Sequence, residues 1–270
     1  MAIKASDVKT LREATGVGMM DCKKALVEAD GDFDKAVEIL RTKGEKVAAK
    51  RADRDALEGG IFTAADADGA VIVEVNSETD FVARNEAFVA FGQTVADAFL
   101  TARGDAGSVT IDGASVADAT TGMTAKIGEK IDVKRSEYVA APEGGKVVDY
   151  VHPGAKLGVL VAMTGDADLD TPGRDVAMQV AAMNPLAATR DDVPQDVQDK
   201  EREIGREQAR AEGKPEAILD KIAEGKLGRY FKDNVLVEQP FVKDSSQTVG
   251  QMLDGAGAGL TRFVRFALGG

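Results

Sequence analysis

The sequence predicts an α+β fold, in which a small helical module precedes a core of antiparallel sheets with packed helices. Two observations predict it. Apolar residues recur at helical spacing over residues 1–43, whereas from residue 59 they are arranged as in strands. A strand hairpin followed by a helix then occurs twice along the chain, so the core is predicted to be pseudo-duplicated.

Residues 1–54 are predicted to form a module of three short helices with its linker. Ser6 is placed to cap the first helix, which should stop at Gly16, and Asp32 is placed to cap the third. The basic segment 43–54 is interpreted as a linker, with a helix as the alternative. The three apolar faces are Val8, Leu11 and Ala14; Cys22, Ala25, Leu26 and Ala29; and Phe33, Ala36, Val37 and Leu40.

Residues 55–140 are predicted to form the first half of the core. Two strands flank the turn 66–69, and a long helix follows whose apolar stripe includes Phe81, Phe88, Val95 and Phe99, with Val82 and Val89 beside it. The predicted elements are strands at 60–64 and 71–75, helices at 79–101 and 116–127, and a strand at 131–140.

Residues 141–270 are predicted to form the second half, with a helical hairpin inserted at about 194–232. That insertion carries nine acidic and nine basic residues around a narrow apolar seam, which is typical of two helices that project from a core. The seam can pair within one chain or between two, so self-association stays open. The seam is interrupted at Gly213-Lys214-Pro215 and comprises Val197, Ile204, Ala211, Ile218, Leu219 and Ile222. The other predicted elements are strands at 146–151, 157–163 and 261–266 and a helix at 174–183.

Composition excludes several classes of function. Asp and Glu number 46 against 34 Lys and Arg, and this net charge of −12 would be repelled by phosphate backbones, so no direct nucleic-acid partner is expected. The single cysteine, Cys22, excludes an internal disulfide and a cysteine cluster, and the single histidine, His152, excludes a site with several histidines. A Cys22–His152 pair remains formally open, although Cys22 is more simply a buried, inert thiol. Without a membrane-length apolar run or a signal-peptide pattern, we expect a cytoplasmic protein that does not contact a membrane.

The motifs of common active sites are not found. The phosphate-binding patterns GxxxxGK[ST] and GxGxxG do not occur between a strand and a helix, and the glycine-rich segment 255–259 follows a predicted helix instead. Carboxylates are numerous, but no spacing singles out an acid–base pair. We therefore expect no cofactor, no bound metal and no catalytic residues.

The segment from Asn76 to Asn85 has two interpretations. Ser77 and Asp80 fit a helix capping box, with Phe81 in line with the core residue Phe88, and the pattern alone favours this structural interpretation. Alternatively, Phe81 projects from the first helical turn at the edge of the sheet. An acid beside an exposed aromatic ring would then form a tip able to enter a partner and disturb a metal or phosphate.

Three motifs resemble the bacterial elongation factor Ts family, the guanine-nucleotide exchange factors of the translational GTPase elongation factor Tu. They are LREATGVGMMDCKKAL near the start, EVNSETDFVARNEAF in the middle, and GKP followed by EQPFVKDSSQTVGQ near the end. The resemblance runs in order from about residue 3 to residue 268. It implies a UBA-like N-terminal module, and a partner, elongation factor Tu, that is bound in its GDP-bound and nucleotide-free forms.

The resemblance also implies contact residues. Family contacts at the magnesium of the GTPase fall on Thr79, Asp80, Phe81 and Val82, and those of the N-terminal module fall on Arg12, Met19 and Met20. For Met19 and Met20, burial in the core is an equally good interpretation. Further contacts fall on His152, whose surroundings carry an extra proline, and on the stretch Pro240-Phe241-Val242-Lys243, in which Phe241 is better interpreted as a buried strand end.

The resemblance therefore predicts a nucleotide exchange factor without chemistry of its own. Two other hypotheses remain. A tethering module would bind its partner without changing nucleotide release. An enzyme built on the carboxylates of the core, with Asp80 as base, would turn over a small molecule without any GTPase.

Overall fold

The computed structural model describes residues 3–166 and 168–270, and its elements alternate helices and antiparallel strands. The helices are α1 Ala5–Thr15, α2 Met19–Glu28, α3 Phe33–Arg51, α4 Asp80–Ala83, α5 Glu86–Thr101, α6 Val116–Ile127, α7 Asp170–Met183, α8 Gln195–Ala211, α9 Leu219–Asn234 and α10 Val249–Gly255. The strands are β1 Glu58–Asp66, β2 Gly69–Ser77, β3 Thr110–Ile111, β4 Ala114–Ser115, β5 Ile131–Ala140, β6 Gly145–Val151, β7 Leu157–Gly165, β8 Pro240–Phe241, β9 Asp244–Thr248 and β10 Ala258–Ala267. The predicted α+β class is confirmed.

The N-terminal module consists of the three predicted helices. Gly16 ends α1 in the left-handed region at φ 65°, and the carboxylate of Asp32 caps α3 by accepting the N–H of Lys35, as predicted. The core of the module comprises Val8, Leu11, Cys22, Ala25, Leu26, Ala29, Ala36 and Leu40. Local spacing of apolar residues was therefore sufficient to place these helices.

Three details of the module prediction are wrong, and for the segment 43–54 the structure bears out the helical alternative rather than the linker. The cap of α1 is Lys4, whose N–H donates to the Asp7 carboxylate at 3.1 Å, and Ser6 lies inside the helix. Ala14 and Phe33 are exposed rather than part of the apolar faces. Most of the segment 43–54 is the continuation of α3, because α3 packs against α6 and buries Gly44 at that contact.

The two three-stranded sheets repeat one topology, which supports the predicted duplication. β1 and β2 form a hairpin and β5 pairs with β2, giving the order β1-β2-β5. Likewise β6 and β7 form a hairpin and β10 pairs with β7, giving the order β10-β7-β6. In each half the third strand returns, after helices, to the second strand of the hairpin.

The two sheets pack face to face, with a helical layer outside each one. On β2, Ala70 and Ile72 face the second sheet, where they meet Leu160 and Ala162 of β7. The intervening residues of β2 face α5, and those of β7 face α7; they are Val71, Val73 and Val75, and Val159, Val161 and Met163. Both strands are buried on both faces, which explains their nearly continuous apolar sequences.

The helix predicted over 79–101 is in fact two helices, α4 and α5. The chain leaves the helical path at Arg84 and Asn85, and the Asn85 side chain caps α5 by accepting the N–H of Ala87 at 2.9 Å. Phe88 is buried, but Val89, predicted beside the apolar stripe, is exposed. The break separates the direction of Phe81 from that of the core residues on α5.

The hairpin of α8 and α9 is present, but of the six predicted seam residues only Leu219 is buried. Gly205 of α8 packs directly on Ala223 of α9, and the buried residues of the two helices are Gly205, Ala209, Leu219, Ala223, Leu227 and Phe231. Val197, Ile204 and Ile222 are only half-buried, and Ala211 and Ile218 are exposed. Small residues form the contact because they allow the two backbones to approach, and in this structure the seam pairs within one chain.

Across residues 3–166 and 168–270, no helix is long and apolar enough to cross a membrane.

Replacing Gly92 with alanine should destabilise the fold. A Cβ at Gly92 of α5 would lie 2.3 Å from the ring of Phe62, so the ring or the helix must shift, and overpacking of this kind costs about 1–3 kcal/mol. Gly122→Ala in α6 is the matched control, because a Cβ there meets no described atom within 4 Å and should stabilise the helix by about 0.5–1 kcal/mol. Urea unfolding distinguishes the two, and equal shifts for both variants would contradict this account.

Candidate partner-binding tip

Residues 79–82, hereafter the tip, form a short helical turn at the point where β2 leaves the first sheet. Thr79 caps this turn, since its hydroxyl accepts the N–H of Val82 at 3.4 Å. Ser77 is buried and donates to the carbonyl of Thr79 at 3.0 Å, so it does not cap the helix. The side chain of Phe81 is 82% exposed. The capping-box interpretation, with Phe81 in the core, is therefore wrong.

The two sides of the tip differ in polarity and burial. Val82 packs against the apolar cluster between α5 and the first sheet, and this contact holds the tip against the core. Asp80 forms an ion pair with Arg84, one helical turn further along the chain. The tip thus presents an aromatic ring to solvent beside a partly exposed carboxylate.

Residues 128–130, hereafter the anchoring segment, hold the base of the tip. Gly128 ends α6 in the left-handed region at φ 86°, and this turns the chain so that Glu129 faces Thr79. The carboxylate of Glu129 accepts the N–H of Thr79 at 3.0 Å and its hydroxyl at 2.9 Å. The N–H of Lys130 donates to Glu78 at 2.7 Å.

Glu78 links the tip to the N-terminal module. Its carboxylate accepts from Arg51 at the end of α3 at 2.7 Å and from Arg54 at 3.0 Å. Lys130 reinforces the junction by donating through Nζ to the carbonyls of Ala52 and Arg54 at 2.7 and 2.9 Å. Burial alone would raise the pKa of Glu78, but the Lys130 N–H and the two guanidinium groups outweigh it and lower the pKa to about 2.

Replacing Glu78 with glutamine should weaken this junction in a pH-dependent way. A lowered pKa means that the carboxylate stabilises the fold above its ordinary pKa of 4.5, and that this contribution is lost as the pH falls from there through about 2. At pH 7 we expect Glu78→Gln to cost about 2 kcal/mol, the range of hydrogen bonds to charged groups. Urea unfolding from pH 7 to pH 3 should show the difference from the unmodified protein shrinking, whereas the exposed control Glu143→Gln should show little difference at any pH. A pH-independent difference would contradict the assignment.

The predicted residues of the N-terminal module lie on its surface. Arg12 is exposed, and Met19 and Met20 are 53% and 64% exposed at the start of α2. The alternative that these methionines form core is therefore wrong.

Cys22 is fully buried in the module and its thiol donates to the carbonyl of Val17 at 3.3 Å, whereas His152 is exposed on the second sheet, so the two do not form a pair.

The remaining predicted residues lie outside the tip, after β6 and in the turn between β8 and β9, two strands that form a small sheet of their own. His152 follows β6, and its Nδ1 lies 2.8 Å from the hydroxyl of Tyr150. Val242 is 47% exposed in the β8–β9 turn, where its N–H donates to Gln179 at 2.8 Å, and Lys243 pairs with Asp175 at 2.6 Å. Phe241 is buried, as its interpretation as a strand end predicts.

Sequence reasoning missed Glu78 and Glu129 as anchors of the tip. Glu129 is separated from Thr79 by 50 residues, and no local pattern reports such a contact. The only local signal was Gly128, a glycine that ends α6 immediately before Glu129. It indicates that the chain turns there, but it does not indicate which group the carboxylate contacts.

Comparison with known proteins identifies the family. A family model described as "Elongation factor TS" matches residues 78–270. Elongation factor Ts of Corynebacterium urealyticum is 49% identical over 98% of this chain and 97% of its own length, and that of Kineococcus radiotolerans is 49% identical over 99% of each. Elongation factor Ts of Chlorobium phaeobacteroides is 48% identical over 93% of this chain and 91% of its own length. The chain therefore belongs to the elongation factor Ts family and has the role of a translation elongation factor.

Proposed function

We propose that this protein is a guanine-nucleotide exchange factor without chemistry of its own, and that its partner is elongation factor Tu. It binds the GDP-bound GTPase, disturbs the contacts of the magnesium ion and phosphates, and accelerates GDP release so that GTP can bind. Family membership supports the partner, because the resemblance from about residue 3 to residue 268 includes the tip. Arg12, Met19 and Met20 supply a second contact, and His152, Val242 and Lys243 supply further ones.

The observation that carries this proposal is the exposure of Phe81 on a turn that is itself held in place. The ring is 82% exposed, so it is available to a partner, and covering it there would remove its apolar surface from water. The hydrogen bonds of Thr79 to Glu129 fix the base of the turn, so the ring can be inserted without first ordering a flexible loop. Asp80 accompanies the ring and brings a carboxylate close to the metal of the partner.

Thermodynamic linkage relates the affinity of the GTPase for GDP to its affinity for the exchange factor. If the factor weakens GDP binding by some ratio, GDP weakens binding of the factor by the same ratio. A ternary complex therefore forms briefly, GDP leaves, and GTP enters and displaces the factor. The rates change, but the preference of the GTPase for GTP over GDP does not.

For a large acceleration, Phe81 would not be sufficient alone. If release were accelerated about a thousandfold, the barrier would have to fall by about 4 kcal/mol. Burial of one phenylalanine side chain contributes roughly 1.5–3 kcal/mol. Asp80 and the contacts of the N-terminal module would then have to supply the rest.

The experiment that tests the proposal measures release of a fluorescent GDP analogue from elongation factor Tu, with excess unlabelled GDP and increasing amounts of this protein. Acceleration that saturates with concentration is expected. Complex formation without acceleration would leave a tethering module, and the absence of a complex would overturn the proposal. Turnover of a small molecule without the GTPase would instead favour an enzyme in which Asp80 acts as base.

A further inference from the structure

We propose that Glu129 is a positioning residue for the tip, which holds Thr79 so that Phe81 is presented in one orientation before any partner arrives. The inference deepens the proposed function and rests on it, because the orientation of Phe81 has a consequence only if the tip acts on a partner. Glu129 itself lies in the anchoring segment, where it is half-buried.

Both oxygens of the Glu129 carboxylate are used in this contact. Oε2 accepts the backbone N–H of Thr79 at 3.0 Å, and Oε1 accepts its hydroxyl at 2.9 Å. Since the hydroxyl donates its proton to Glu129, its lone pairs are free to accept the N–H of Val82 at 3.4 Å. One carboxylate thus determines the direction of the hydrogen bond that closes the turn carrying Phe81.

Regular structure holds Glu129 on both sides. Gly128 before it ends α6, and Ile131 begins β5 two residues later, paired with Ser77 at the end of β2. The N–H of Lys130 donates to Glu78, the residue that precedes the tip. β5, which follows the anchoring segment, and β2, which leads to the tip, are therefore neighbouring strands of one sheet, which gives the contact a rigid base.

The tip needs this support because α4 has only four residues. A single helical turn is not stable on its own in water, since nucleation orders several residues for very few hydrogen bonds. Val82 fixes one side of the turn by packing on the core, but the exposed ring of Phe81 cannot do the same. Without Glu129 we expect the turn to sample several conformations, of which few present the ring correctly.

A double-mutant cycle on the exchange reaction tests the contact. Glu129→Gln and Thr79→Val should each lower the GDP release rate at saturating factor by about tenfold, and the concentration at half-saturation should change much less, because preorganisation acts on the step in which the ring enters. The double variant should be no slower than the single variants within about twofold, since both remove one interaction. The conservative variant Thr79→Ser retains the hydroxyl and should restore most of the rate, and Glu143→Gln controls for the loss of a charge.

A second measurement needs no partner. The chain has no tryptophan, so Phe81→Trp introduces a single tryptophan at the tip, and its anisotropy, excited beyond the absorption of the three tyrosines, reports the mobility of the ring. Adding Glu129→Gln should lower this anisotropy while the urea midpoint of the whole fold stays nearly constant. Unchanged anisotropy, a release rate unaffected by Glu129→Gln, or additive effects in the cycle would each overturn the role of Glu129. If the anisotropy falls but the unmodified protein does not accelerate GDP release, positioning stands and the proposed function fails.

Discussion

Phe81→Ala should slow GDP release from elongation factor Tu at least tenfold at equal concentrations of factor, while the stability of the free protein hardly changes. The two effects separate because the ring is 82% exposed and so contributes little to the core. Once covered by a partner, the same ring contributes roughly 1.5–3 kcal/mol, which corresponds to a factor of about ten to a hundred in rate.

The measurement compares the saturating release rate of the variant with that of the unmodified protein, together with urea unfolding of both. Leu57→Ala is the matched control, because Leu57 is also a large, exposed apolar residue but lies ahead of β1 and outside the tip. Near-normal exchange by Phe81→Ala, or an equal loss with Leu57→Ala, would show that the tip is not the active element.

Glu74→Ala should produce the largest loss of stability among these variants, about 3 kcal/mol or more. Glu74 lies on β2 with a fully buried side chain, and it accepts from Arg135 at 2.7 Å and from the N–H of Gly269 at 3.3 Å. Loss of one partner of a fully buried ion pair costs about 3–5 kcal/mol. Arg135 is one-third exposed, so solvent relieves part of this cost, but the Asn76 amide and the Gly269 N–H also lose their acceptor. Burial would raise the pKa of Glu74, but the hydrogen bonds from Gly269, Asn76 and Arg135 outweigh it and lower the pKa.

This loss should spread beyond β2, because Arg135 joins the two halves of the core. Its guanidinium also donates to the carbonyl of Ala267 at 2.9 Å and lies 4.2 Å from the ring centroid of Phe266, both on β10 of the second sheet. Glu137→Ala is the control, since Glu137 is on β5 beside Arg135 but pairs with Arg262 at the surface, where an ion pair contributes less than about 1 kcal/mol. Equal urea midpoints for Glu74→Ala and Glu137→Ala would contradict the special role of the buried carboxylate.

Much of the fold was predictable because the signals were local. The glycine that ends α1 and the aspartate that caps α3 act on backbone groups within a few residues. The same holds for the predicted helix at 116–127, which the structure reproduces as α6. The site was less predictable, because the interpretation that local pattern favoured placed Phe81 in the core and only the family resemblance pointed to the tip.

The errors at the tip and in the hairpin have different causes, a local helix break in the first and a contact between two helices in the second. Phe81, Phe88 and Val95 follow one another at intervals of seven, as on one helical face, but the break at Arg84 and Asn85 turns Phe81 away from the other two. In the hairpin, the residue of α8 at the contact is Gly205 rather than the predicted Ile204. The reason is that the close approach of two backbones, and not apolarity alone, selects the residues at a helix contact.

By itself, then, the sequence determined the order of the strands of the two large sheets and of most helices, the α+β class and the family, since each depends on spacing or similarity read along the chain. The tertiary structure decided which apolar side chains stay exposed and which charges are paired, as with Phe81 at the tip and Glu129 beneath it. The physical reason is that burial and hydrogen bonding are properties of neighbours in space. For the tip those neighbours come from α3 and from the anchoring segment, which only folding brings together.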